Sequence, residues 1–337
     1  MVKKKWLVAT LIAVMLLSIA GCGGQQAEEA NPPSSADNEK VSLVVGTAPG
    51  PVSYGMAYMV ENPADDMTVK IEPWNKYDQL LAMITSQQVN ISSTPLTNAI
   101  MLYNNGVDVQ LINVAVWGML YVLSPEDTVQ NITDLKGKRI GVAGQGGNHD
   151  LVLRHLLIQN GLDPNQDVEI IYLDLPEASS KLASGELKYA VLNEPNSSMA
   201  TLNARKNGVE LHRVLDLQVE WQKLTGQEKA RIPHAGFVVV NGSQLDKAVI
   251  EQFQQNFTAA AQWINDNPEE AGPLVEKHFD WMKAPAVQQS LQFARLNSVP
   301  AADCQEEIDA FFTELSKTAP AEAIGGKLPD AGFYFQP

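Results

Sequence analysis

Ile132-Thr133-Asp134-Leu135-Lys136-Gly137-Lys138-Arg139-Ile140-Gly141-Val142 runs from a polar, glycine-containing turn into a short apolar stretch. A glycine-rich loop follows, Gly144-Gln145-Gly146-Gly147, and then 148–160 carries helical apolar spacing as far as Gly161. A strand over 138–143, a loop and a glycine-closed helix make one half of a parallel crossover unit. The same grammar recurs on both sides. Downstream come strands at 168–172, 189–192 and 209–215, with a helix through Leu182 and another over 195–206. Upstream, 41–48, 67–74, 89–92 and 107–116 read as strands. A helix over 54–61 follows the first; after the second, Tyr77, Leu80, Leu81 and Ile84 share a face at i, i+3, i+4, i+7, and Leu96, Ile100 and Tyr103 lie on the next helix. Short strands separated by helices of this length predict α/β sheets covered on both faces and joined by right-handed parallel crossovers.

The polar stretch 218–231 reads as a connector, and 234–240 as a further strand. The last hundred residues read as helical, with Ile250, Phe253, Phe257, Ala261 and Ile264 forming an apolar stripe and Pro268, Pro273, Pro285 and Pro300 punctuating the segments. The outline is an α/β protein of two lobes, the second inserted into the first, with a helical C-terminal tail. Residues 41–118 with 234–337 make lobe 1 and residues 119–233 lobe 2, the chain crossing near 118–124 and returning near 234–240. A cleft between lobes joined in this way opens and closes about a hinge.

The chain has 337 residues, 45% of them hydrophobic and 19% charged, enough to bury a core, with a formal charge of -15 that makes nucleic acid a poor partner. Lys3, Lys4 and Lys5 precede an apolar run ending at Ala20, the layout of a secretory signal and shorter than a comfortable transmembrane span of about 20 apolar residues. Ile19-Ala20-Gly21-Cys22 resembles the lipobox of bacterial lipoproteins, which implies cleavage after residue 21 and a lipid anchor on Cys22. Residues 22–40 lack large aliphatic and aromatic side chains and read as a flexible tether. Losing three lysines and no acid with the signal shifts the formal charge from -15 to -18. The second cysteine, Cys304, lies among Asp303, Glu306 and Glu307, so neither a disulfide framework nor a cysteine zinc site is expected.

Four stretches together resemble the periplasmic-binding-protein-like solute receptors of bacterial ABC importers, in the nitrate/sulfonate/taurine group that also holds binders of thiamine precursors such as hydroxymethylpyrimidine. They are Ser92-Ser93-Thr94-Pro95, the opening stretch 132–142, Ala190-Val191-Leu192-Asn193-Glu194-Pro195, and Gly325-Gly326-Lys327-Leu328-Pro329-Asp330 with Phe333-Tyr334. The resemblance covers essentially everything after the tether. It implies a type II periplasmic-binding-protein fold, a monomer without catalysis or cofactor, and partners in a small-molecule ligand and a membrane permease with its ATPase, outside the cell.

In open α/β sheets the ligand lies beyond the carboxyl ends of the strands, so the strand-to-helix loops supply the expected site. Thr47 opens the first of these loops, while Ser93 and Thr94 from lobe 1, and Gly146, Gly147 and Asn148 from lobe 2, lead into helices whose free N–H groups favour an anionic or carbonyl-rich group. Plain N-capping explains the same residue types, and both readings stand. Trp74 and Trp117 at strand ends, and Tyr54 on the first helix, are candidate ligand walls or packing wedges. Glu194 is placed to hold a ligand amine or to favour a helix dipole, and His149 and His234 lie at a pocket loop and at the return crossing. The loops contain Lys76 but no arginine, with Arg154 and Arg231 nearby. A sulfonate or taurine-like solute is expected on resemblance, with a neutral heterocycle as the alternative.

No catalytic constellation is visible. Gly144-Gln145-Gly146-Gly147 imitates a dinucleotide fingerprint, but His149 holds its third glycine position, and Gly137-Lys138 is followed by Arg139 where a phosphate loop needs Ser or Thr. The five histidines lack metal-ligand spacing, so no metal is expected. The rival classes are an enzyme on the same fold, whose pyrimidine-synthesising relatives carry a cysteine-rich motif this chain lacks, and a ligand sensor acting through a protein partner.

Overall fold

The structure is a computed structural model that describes residues 40–337. The signal segment, Cys22 and the tether up to residue 39 lie outside the described residues. In chain order the elements are β1 (Val41–Thr47), α1 (Val52–Glu61), β2 (Met67–Pro73), α2 (Tyr77–Thr85), β3 (Ile91–Pro95), α3 (Leu96–Asn104), β4 (Val109–Val116) and β5 (Leu120–Ser124). Then come β6 (Arg139–Ala143), α4 (Asn148–Gln159), β7 (Glu169–Leu173), α5 (Leu175–Ala183), β8 (Tyr189–Asn193), α6 (Asn196–Lys206), β9 (His212–Asp216), α7 (Leu217–Thr225) and β10 (Ala235–Val240). The tail holds α8 (Lys247–Asp266), α9 (Pro268–His278), α10 (Ala284–Ser290), β11 (Leu296–Pro300) and α11 (Gln305–Leu315).

These elements form a two-lobed α/β fold. The first lobe is built on a six-stranded sheet of order β11-β4-β10-β3-β1-β2, the second on a five-stranded sheet of order β7-β6-β8-β5-β9. The expectation of parallel crossovers holds for β1 with β2 and β3, and for β6 with β7 and β8. It fails for β5, β10 and β11, which run antiparallel to their neighbours. The reason is delivery: β5 and β10 arrive from the other lobe and not through a βα unit, so nothing imposes a parallel direction.

Two further corrections concern the second half of the chain. The expected connector contains helix α7, started by the Asp216 carboxylate, which accepts from the N–H groups of Gln218 (2.9 Å) and Val219 (3.2 Å), and stopped by Gly226 in the left-handed region. Its buried face is Leu217 and Trp221 with Leu224 partly covered, a stripe hidden in the sequence by the polar residues between them. The tail is not wholly helical either, since Leu296–Pro300 adds an edge strand to β4, where a terminal proline is tolerated.

The apolar stripe of α8 packs as its spacing predicts. Phe253 and Phe257 meet Phe237 of β10 edge-on at 5.0 and 4.6 Å, and Gly55 of α1 lies so near that a Cβ there would come within 2.7 Å of the Phe257 ring. At the outgoing crossing Gly118 has φ +152°, and a Cβ would collide with the Gln218 side chain. Gln218 is fully buried and ties the crossing down, its Oε1 accepting from Met119 N–H (3.2 Å) and Leu120 N–H (3.0 Å) while its Nε2 donates to Leu120 C=O (3.0 Å). Among the described residues no helix is long and apolar enough to cross a membrane.

Candidate functional site

On the first lobe the central strands place Thr47, Ser93, Thr94 and His234 side by side. Ala48 N–H donates to Ser93 Oγ (3.0 Å), Trp74 N–H to Thr47 C=O (3.1 Å), and Leu96 N–H to His234 C=O (3.0 Å), while Gly236 pairs with Thr94 across the β3–β10 ladder. Ser93 is therefore committed to the backbone. Thr47 Oγ1 and Trp74 Nε1 are buried and have no hydrogen-bond partner.

The second lobe answers with the start of α4 and the end of β8. Asn148 Nδ2 lies 3.3 Å from Nδ1 of His234, a contact that spans the two lobes, and Asn148 Oδ1 is buried without a partner. His149 is partly exposed, but its Nε2 is buried and unpartnered, as is the hydroxyl of Ser197 at the start of α6. Burial holds the His149 imidazole down at about 4, against a smaller opposing influence of Asn193. Burial and then the neighbouring His149 hold His234 at about 3. Both rings are neutral at pH 7. A line of polar groups thus runs from Asn148 and His234 to His149 and Asn193, and five residues from the two lobes, Thr47, Trp74, Asn148, His149 and Ser197, bring buried side-chain atoms with unmet hydrogen-bonding capacity.

Other expected site residues are engaged within the chain. Gly146 N–H is taken by the Asp150 carboxylate (2.8 Å) and Gly147 N–H by Gly144 C=O (3.1 Å), so the glycine loop does not offer the free N–H groups its sequence suggested. Glu194 is fully buried, and burial pushes its carboxyl above the usual range, opposed first by Arg213 and then by Ser198. One oxygen accepts from Arg213 Nη2 (2.5 Å) and Nε (3.0 Å), the other from Ser198 Oγ (2.7 Å) and N–H (3.2 Å), which leaves no free oxygen for a ligand amine. Tyr54 is fully buried with its hydroxyl 2.8 Å from Ser290 Oγ on the tail, the wedge reading of that ring. Trp117 is buried under Arg231, whose guanidinium sits 3.9 Å from the ring centroid, and its Nε1 has no partner. Thr94 donates to Pro95 C=O (3.3 Å). Burial, with Glu307 next, pushes the Cys304 thiol up to about 12, an unreactive cysteine. Among the described residues no group of three or more His, Cys, Asp or Glu side chains could hold a metal ion.

Sequence reasoning passed over Ser197. Its signal was present, since Asn193-Glu194-Pro195-Asn196-Ser197-Ser198 is a strand-to-helix connection on the same footing as 144–149, with Glu194 its most conspicuous residue.

The family model of the NMT1-like family matches residues 79–273, more than half of the chain and parts of both lobes. The chain belongs to the NMT1-like family. This NMT1-like protein is 28% identical over 120 residues to the nitrate/nitrite binding protein NrtA of Synechococcus elongatus, a stretch covering 34% of the chain and 27% of that protein, so it spans about a quarter of its curated relative. Among solved structures it resembles an ABC transporter protein from Parabacteroides distasonis (24% identical, TM-score 0.75, covering 88% of this chain and 99% of that one). It also resembles the periplasmic aliphatic sulphonate binding protein SsuA from Escherichia coli (18% identical, TM-score 0.63, covering 83% and 94%). At these identities the likeness is one of fold.

Proposed function

We propose that this NMT1-like protein is the extracytoplasmic solute receptor of an ABC importer, capturing a small organic solute between its lobes and handing it to a membrane permease and its ATPase. The observation that carries the reading is the set of buried polar atoms without partners in the strand-to-helix connections of both lobes, at Thr47, Trp74, Asn148, His149 and Ser197, with Asn148 reaching His234 of the other lobe. A buried polar atom left unpaired costs roughly 1–3 kcal/mol, and a solute that satisfies several at once stabilises the closed arrangement by a comparable amount for each. The names of the relatives, a nitrate/nitrite binding protein and a sulphonate binding protein, support the same reading. Residues 41–118 with 234–337 form one moving body and 119–233 the other, closing about the crossings at Gly118 and His234. Cys22, lipid-modified after loss of residues 1–21, holds the monomer to the membrane through the 22–40 tether, and Cys22→Ser should move it to the soluble fraction. No catalytic step belongs to this role.

The test is a thermal melt of the purified protein against pooled small metabolites. A ligand bound at a hundred times its Kd stabilises by about 2.7 kcal/mol, several degrees in Tm for a chain of this size. If no pool moves Tm and a protein partner binds tightly instead, the chain is a sensor or adaptor and the import reading fails.

A further inference from the structure

Helices α4 and α6 of the second lobe each have a buried carboxylate at their start. At α4, Asp150 is 2% exposed and accepts from Gly146 N–H, and its other oxygen accepts from Arg154 Nε (2.7 Å) and Tyr172 (3.1 Å). At α6, Glu194 accepts from the N–H and hydroxyl of Ser198 and is paired with Arg213. Each of these helix starts thus carries an internal acid, which at α6 takes a first-turn N–H and at α4 takes the N–H of Gly146 just before the helix, and each acid is in turn neutralised by an arginine. Arg295 is likewise paired with Asp216 at 2.7 Å, and Lys76, the one cation in the expected loops, is exposed. At pH 7 neither cleft histidine carries charge.

The unpartnered atoms are mixed in kind. The indole of Trp74 only donates, the hydroxyls of Thr47 and Ser197 donate and accept, the neutral His149 Nε2 does one or the other according to its tautomer, and Asn148 Oδ1, with its Nδ2 turned to His234, only accepts. A bare oxyanion offers acceptors alone and would leave Asn148 Oδ1 facing like charge. Building on the receptor reading, we infer that the cleft selects a solute uncharged at neutral pH that both donates and accepts hydrogen bonds, and rejects free oxyanions.

The test uses the full-length protein produced in rich medium. Solute carried through purification is released by unfolding, passed over an anion exchanger at pH 7 and weighed by mass spectrometry. In parallel, Tm is followed with propanesulfonate, ethanesulfonate and nitrate at millimolar concentration, and with uracil, nicotinamide and a hydroxymethylpyrimidine. The expected result is a released solute that the exchanger does not retain, or a rise of several degrees with an uncharged probe, and no rise with the three others. A retained solute, or a rise of several degrees with ethanesulfonate, propanesulfonate or nitrate, overturns the ligand class and leaves the receptor reading intact. A protein that releases nothing and responds to neither set overturns the receptor reading, and the ligand class with it.

Discussion

With an ordinary value of 6.5 and a folded value held at about 3, His234 takes up a proton in acid only when the chain unfolds. Its contribution to stability is therefore complete above pH 6.5 and is lost as pH falls toward 3, by about 1.4 kcal/mol for each pH unit in that window. Glu194 acts in the opposite sense, because burial raises its carboxyl and protonation becomes easier in the folded state. Subtracting variant from wild type isolates the histidine: His234→Gln should flatten the fall of Tm between pH 7 and 5, and parallel curves would show that the ring titrates freely in the fold. At this scale the rule of strand ends points to Thr47, Ser93 and Asn148. It could not reveal which of them keep free hydrogen-bonding capacity, because that depends on partners 45 or 86 residues away, as at Ser93 and Asn148.

Helix α7 and strand β11 were missed for a shared reason. Each buries only two or three apolar side chains, and each is held by groups distant in sequence, Asp216 by Arg295 and β11 by β4. Periodicity identifies elements that bury a whole stripe, such as α8, and passes over those that owe their place to a cap or to one neighbouring strand. Asp216 tests this directly. Asp216→Ala removes the α7 cap, worth about 1 kcal/mol, together with the Arg295 pair and the Gln218 contact, for a loss of roughly 1–3 kcal/mol in denaturant unfolding. Asp216→Asn keeps a side chain equally good at capping and gives up only the ion pair, which at this exposure is worth about 0–1 kcal/mol. Equal losses in the two variants would mean that the interlobe ion pair, and not the cap, secures the helix.

For the molecule as a whole, the alternation of strands and helices made two α/β lobes legible, while the contacts that hold the lobes together stayed out of reach. Arg213 of β9 shows why. It grips Glu194 on its own lobe and lays its guanidinium 3.6 Å from the centroid of Phe293, eighty positions later, between α10 and β11 of the other lobe. Tyr121 of β5 meets the same residue, donating to its carbonyl at 2.6 Å and packing edge-on against its ring. Nothing local in the sequence marks such a meeting. Phe293 thus links the tail to Arg213 and, through it, to Glu194. Phe293→Ala removes the cation–π and edge contacts but keeps the backbone carbonyl and the Arg213–Glu194 pair, so the loss falls on the interlobe contact, about 1–2 kcal/mol. A shift of that size moves the closed-to-open ratio roughly 5- to 30-fold. Small-angle X-ray scattering should then show a larger radius of gyration than wild type, while circular dichroism of the two lobes stays the same. An unchanged radius would place the restraint elsewhere, on the Asn148–His234 contact across the cleft, and the hinge would have to be driven from the solute side alone.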